Sequence, residues 1–105
     1  MRTLFVSVFL LISPAVMADA ASDYAAMCAS CHGASGAGDG IALPVKPANF
    51  QDAAFWKSRT DAQVKSAIKG GGAAVGKSPM MPALGAAWSD AQLDAMVKYL
   101  KAMKK

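Results

Sequence analysis

A chain of 105 residues is enough for one domain and too short for two. Eleven Lys and Arg stand against seven acidic residues, all of them Asp, and the resulting charge of +4 is too mild for a nucleic-acid binder. The 54% hydrophobic content is inflated by the first 18 residues and does not mark a membrane protein.

Arg2 gives a short positive start, and residues 4–12 are apolar except for Ser7. Pro14 and the small residues Ala15 and Ala18 follow. Charge, apolar stretch and small residues in that order are the pattern of a secretory signal peptide. The run is shorter than the roughly 20 apolar residues that span a bilayer, so no membrane span is expected in the mature chain. Cleavage after Ala18 fits the small-x-small rule through Val16-Met17-Ala18, and cleavage after Ala20 fits it through Ala18-Asp19-Ala20. The expected organisation is a signal peptide over residues 1–18 and a single domain over 19–105. Removing the leader takes away only Arg2 among the charged residues, leaving ten Lys and Arg against seven Asp, a net +3.

A domain this small is marginal on its own core and usually needs a staple. Both cysteines and the single histidine fall within five positions, Cys28-Ala29-Ser30-Cys31-His32. A Cys28–Cys31 disulfide would close a very short loop and contribute little. A large buried cofactor would complete the core.

The spacing predicts a first helix over 19–31, Ala-rich, with Ser22 and Asp23 as start signals and Tyr24, Met27, Cys28 and Cys31 at helical intervals. Residues 33–40 hold four glycines and read as a loop, and Pro44 and Pro47 keep 41–49 irregular. A short helix or turn over 50–57 carries Phe55 and Trp56. Thr60 and Gln63 form a capping box for the next helix, whose face carries Val64 and Ile68 and whose stop is Gly70-Gly71-Gly72. Residues 73–87 are expected to be a Pro/Gly loop. The last helix has Ser89 and Gln92 as a capping box, Trp88 and Leu93 as a hydrophobic staple, and Leu93, Met96, Val97 and Leu100 as an apolar stripe. Lys98, Lys101, Lys104 and Lys105 suit its C-terminal dipole. No strand pattern and no repeat occurs. The fold class expected is all-α, three to four helices joined by Gly/Pro loops.

Cys-x-x-Cys-His in an exported chain points to covalent haem attachment. Two cysteines three apart on a helical turn face the same way, roughly 5–6 Å apart at Cβ, which suits addition to two vinyl groups on one haem edge. His32 then supplies a neutral imidazole to the iron as proximal ligand. A thioredoxin-like pair would need a βαβ context, and a zinc site about four ligands. Neither is present in the sequence.

With no second histidine, methionine is the natural distal ligand. Met27 adjoins the attachment turn, Met96 reads as core filler, and Met103 falls in a tail expected to fray. Met80 and Met81 lie in the Pro/Gly loop. Pro82 biases the residue before it to an extended conformation, which favours Met81, with Met80 as second choice.

Cys28 to Gly33, then Gly36-Ala37-Gly38-Asp39-Gly40, Pro47-Ala48-Asn49-Phe50, Met81-Pro82-Ala83-Leu84-Gly85, and Trp88-Ser89-Asp90 with Tyr99 together resemble small bacterial class I cytochromes c. The resemblance covers essentially all of 19–105, in the family's order. It implies an all-α class I cytochrome c fold around one covalent haem c, with Cys28 and Cys31 as attachment points and His32 and Met81 as axial ligands. It also implies a carbonyl from the Pro-containing loop, near Pro44, accepting the imidazole N–H. Candidates for the haem propionates are Trp56, Lys57 and Arg59.

The function expected from this resemblance is a periplasmic one-electron carrier rather than an enzyme, since a six-coordinate iron has no open position. Two other readings stay open: a haem-bearing subunit of a larger oxidoreductase complex, and a ligand-sensing or catalytic haem protein with a labile distal ligand. Lys46, Lys57, Lys65, Lys69 and Lys77 are expected to frame the haem edge and to steer redox partners with acidic docking surfaces. No nucleic-acid partner is expected, and a monomer is favoured.

Overall fold

The computed structural model describes residues 14–41 and 46–105, with only the backbone described over 14–18. The expected signal peptide, apart from that stretch of backbone, and Pro44 lie outside the described residues.

The N-terminal helical run starts earlier than the sequence suggested. Helix α1 (Pro14–Asp23) passes into a π-helical turn (Tyr24–Cys28) and then into α2 (Ala29–His32). Ser22 and Asp23 lie inside this run rather than at its start. Asp23 has helical backbone angles, φ −64° and ψ −40°, and its side chain caps nothing. The alanines around these two residues propagate a helix at little entropic cost, so the polar pair does not break it. In the π turn the Ala29 N–H donates to Tyr24 O, five residues back. The extra residue turns α2 relative to α1 by about 100°, one residue's share of a 3.6-residue turn.

The later helices begin where their caps place them. The Asp52 carboxylate accepts from the Ala54 N–H at 2.9 Å and starts α3 (Ala53–Ser58). Both capping boxes form, Thr60 with Gln63 ahead of α4 (Asp61–Gly70) and Ser89 with Gln92 ahead of α5 (Asp90–Lys101). Beyond the glycine stop the chain makes a 3₁₀ turn (Gly72–Val75) where a plain loop was expected. No strand occurs among the described residues.

Helix α5 is the common wall. Helices α1 and α4 both pack against it. Its predicted stripe of Leu93, Met96, Val97 and Leu100 is buried, together with Ala95. Ala20 and Tyr24 meet it from the first helical run, Val64 and Ile68 from α4. Gly85 donates its N–H to Ile68 O at 2.9 Å, and the side chains of Ile68, Leu93 and Trp88 close around its Cα, so the expected staple joins this wall. Two sets of exposed ion pairs span α4 and α5: Lys65 with Asp94 at 2.9 Å and Asp90 at 3.5 Å, and Lys101 with Asp61 at 3.1 Å. Exposed pairs of this kind contribute about 1 kcal/mol or less each.

The tail after α5 does not fray. Met103 is half-buried against the core, and the Lys105 N–H donates to Gln51 O at 3.0 Å.

Leu93 is fully buried, at 0% exposure. Leu93→Ala should lower unfolding free energy by about 2–5 kcal/mol. Ser89→Ala, which removes only a cap, should cost about 1 kcal/mol. Denaturant titration of the haem-loaded protein measures both, and equal losses would contradict this account of the core.

Candidate functional site

One apolar cavity of about 330 Å³ opens among α2, residues 46–50, α4, the 3₁₀ turn, the methionine loop and α5. Cys28, Cys31, His32, Met80 and Met81 all line it, so every residue singled out for haem attachment or ligation meets at one place. Met96 and Leu100 of α5 and Val64 and Ile68 of α4 form its apolar floor.

The π turn explains how α2 can serve this cavity. Ala20, Tyr24, Cys28 and His32 are spaced by four. In an unbroken α-helix they would share one face, and that face is needed against α5. The added residue releases α2 from this constraint. Tyr24 stays in the core with its ring 5.6 Å from that of Tyr99, while its hydroxyl donates to Gly33 O at 2.6 Å.

Both thiols are free. Burial, with Asp23 and Cys31 nearby, pushes the Cys28 thiol up to about 11, so it stays protonated at neutral pH. Burial also lowers the pKa of His32, against the opposing effect of its bond to Ala48, and favours the neutral imidazole that a metal requires.

His32 Nδ1 lies 3.1 Å from Ala48 O. A carbonyl only accepts, so the proton sits on Nδ1 and the Nε2 lone pair is left free. This is the carbonyl anticipated near Pro44, and it comes instead from Ala48, next to Pro47. Sequence could not fix that register, because the pairing is between residues 16 apart across an irregular loop. The imidazole also stacks on Phe50, centroids 4.6 Å apart and planes 24° apart. Phe50 is itself held at both backbone groups: its N–H donates to Gly36 O at 2.7 Å, and its carbonyl accepts from Trp56 Nε1 at 2.8 Å.

The glycine-rich loop folds back over α2. Gly38 donates to His32 O at 2.7 Å. Its φ is +79°, and a Cβ there would lie 2.6 Å from Pro47 O, so only glycine lets residues 47–48 approach His32.

On the other side, the Met81 carbonyl accepts from the Gly72 N–H at 3.0 Å and thereby hangs the methionine loop on the end of α4. Met81 is half-buried against the core, whereas Met80 is 46% exposed.

The polar candidates separate clearly. Arg59 lines the cavity, its guanidinium 5.1 Å from the Phe55 ring centroid, and its Nε is buried with no hydrogen-bond partner among the described residues. Trp56 does not line the cavity, and its one N–H is committed to Phe50 O, so it is a packed aromatic. Lys46 and Lys77 reach the cavity, but Lys57, Lys65 and Lys69 do not. Lys65 is drawn to Asp90 and Asp94 between α4 and α5, which corrects its expected place at the haem edge.

Residues 15–100 match the family described as Cytochrome C oxidase, cbb3-type, subunit III. The chain belongs to that family. It is a small c-type cytochrome with an all-helical fold, and its chemistry is haem-based electron transfer. No curated protein and no solved structure matches it. The cavity of this cytochrome fits the cofactor on its own chemistry: apolar walls, two free thiols, an unclaimed imidazole nitrogen, thioethers opposite, and a buried guanidinium Nε without a partner.

Gly38→Ala should therefore cost more than the roughly 1–3 kcal/mol of left-handed strain, because the new methyl also meets Pro47 O. It should also reduce the yield of haem-loaded protein. Gly76 has a similar φ of +72°, with nothing within 4 Å of where a methyl would stand, so Gly76→Ala should cost the strain alone. Thermal melts and haem-stained gels of the two variants check the contrast.

Proposed function

We propose that this cytochrome is an exported one-electron carrier with a single haem c, held covalently by Cys28 and Cys31 and ligated by His32 and Met81. The observation that carries the reading is the meeting of two free thiols, a neutral imidazole and a half-buried thioether at one apolar cavity. When bound, haem would supply a one-electron couple. The chain's residues do the rest. Cys28, at the end of the π turn, and Cys31, in α2, would hold the cofactor covalently. His32, with Nδ1–H donated to Ala48, presents Nε2. Met81 is preferred over Met80 because its backbone is tied to Gly72 and its side chain is half-buried. Arg59, with its unpartnered Nε, is the residue proposed for a propionate.

Lys46 and Lys77 at the cavity, with the exposed thioethers of Met27 and Met80, form a weakly basic, partly apolar rim suited to redox proteins with acidic surfaces. Added salt should slow that encounter. Electron transfer rather than substrate turnover, and a monomeric state, complete the reading.

The family's description favours a second reading, in which the chain serves as the haem-bearing subunit of an oxidase complex. No helix among the described residues is long and apolar enough to cross a membrane. Co-purification of oxidase subunits with the tagged cytochrome from its native membrane fraction would support the subunit reading over the free carrier.

Oxidised wild type should show the weak near-infrared sulfur-to-iron band. Met81→Ala should abolish it and let CO bind the ferrous protein, while Met80→Ala should leave both properties unchanged. Met81→His should keep six-coordination and lower the midpoint potential by more than about 59 mV, a tenfold shift for one electron. The reverse pattern between Met80 and Met81 would reassign the ligand.

Export through a leader over residues 1–18 carries a finer expectation. The Ala20 side chain is buried in the core that α1 forms with α5. Cleavage after Ala20 would remove it, and cleavage after Ala18 would keep it. Intact mass and N-terminal sequencing of the periplasmic protein should find Asp19 first.

A further inference from the structure

Phe50 is the flat surface against which the His32 imidazole rests, and its own support comes partly from the far end of the chain. Met103 Sδ occupies the space that a Cβ on Gly36 would need, and the Cβ and Cδ2 of Phe50 lie 3.4 Å from the same point. Met103 and Phe50 therefore both pack over Gly36. A second link lies one residue on: the Lys105 N–H donates to Gln51 O at 3.0 Å, and Gln51 Nε2 donates to Ser35 O at 3.0 Å. Residues 103–105, Gln51 and the 35–36 corner thus lie along the Cβ–Cδ2 edge of Phe50, whose face lies 24° from parallel with the imidazole.

We propose that Met103 is a positioning residue for the proximal imidazole, acting through Phe50 to set the plane of the His32 ring. The inference rests on the reading of His32 as the proximal ligand. The bond to Ala48 fixes one ring nitrogen but leaves the ring free to pivot about that contact. The Phe50 face limits the pivot, and its stiffness depends on what packs along its edge. A thioether fills such a gap well, being unbranched and polarisable. Ligand orientation and the packing around it belong to the protein's means of tuning a haem. A residue remote from the iron therefore reaches the potential through one aromatic ring.

The test uses the haem-loaded protein, matured in a host that attaches the cofactor. Wild type, Met103→Ala, Met103→Leu, Phe50→Leu, the double variant and a chain lacking residues 103–105 are compared. The readouts are midpoint potential and the pattern of paramagnetically shifted haem-methyl NMR signals, which responds to the axial imidazole plane. Met103→Ala and the shortened chain should change the methyl pattern and shift the redox equilibrium by roughly threefold, about 28 mV at 59 mV per tenfold. Met103→Leu should restore most of both. Adding Met103→Ala to Phe50→Leu should change nothing further, since the two act in series. Val97→Ala, a buried α5 variant away from the cavity, should lower the melting temperature without altering the methyl pattern. An unchanged pattern and potential in both Met103→Ala and the shortened chain would overturn the proposal, as would additive effects in the double variant. A His32→Ala protein that keeps the wild-type optical spectrum would instead overturn the ligand reading beneath it.

Discussion

The bond between His32 Nδ1 and Ala48 O is the constraint around which the site is built. An imidazole taken out of water needs a partner for its N–H, and leaving it unpaired would cost about 1–3 kcal/mol. Supplying that partner brings an irregular segment, residues 46–50, against the end of a helix. The approach is close enough that the intervening loop must cross between them with no side chain at Gly38. The same crossing delivers the Gly38 N–H to His32 O, one of the orphan carbonyls that every helix end leaves. Ring tautomer, loop composition and helix termination are three consequences of one contact.

The core and the cavity share a wall. Met96 and Leu100 contribute both to the helix interface and to the cavity floor, as do Val64 and Ile68. All four are already buried, at 1–5% exposure, so the cavity is walled by the core itself. The fold and the electron-transfer chemistry are supported by the same side chains, so a substitution on the cavity floor alters stability and redox behaviour together.

Much of this was legible from sequence where the physics is local. Capping boxes at Thr60 and Ser89 are four-residue events, and both helices begin where their caps place them. The stripe on α5 needs only helical periodicity. Cys28, Cys31 and His32 fall within five consecutive positions. What escaped was decided by contacts remote in sequence. The π turn is decided by how Tyr24, Cys28 and His32 are each placed against neighbours remote in sequence, which propensity does not register. Ala48 is the acceptor because of where the loop returns, and an alanine carries no signal of what its carbonyl does. Lys65 was misplaced because its position on a helix near the site was visible, while Asp90 and Asp94 opposite it belong to another helix. Met103 looked like tail until α5 carried it to Gly36.

The placement of charge follows from the same helix packing. Lys65 and Lys101 are engaged by carboxylates across the α4–α5 seam, on a face away from the cavity. The positive charge at the cavity therefore comes from Lys46, Lys77 and Arg59. Arg59 differs from the two lysines, because its Nε is buried beside Phe55. A guanidinium in that position favours a carboxylate brought to it, since the pair would form where water screens least. The exposed lysines remain in water, where their attraction reaches about a Debye length and falls with salt. In the proposed reading, one cation would hold an anion inside the cavity and the other two would guide one toward it. The division is made by burial, because all three carry the same unit charge.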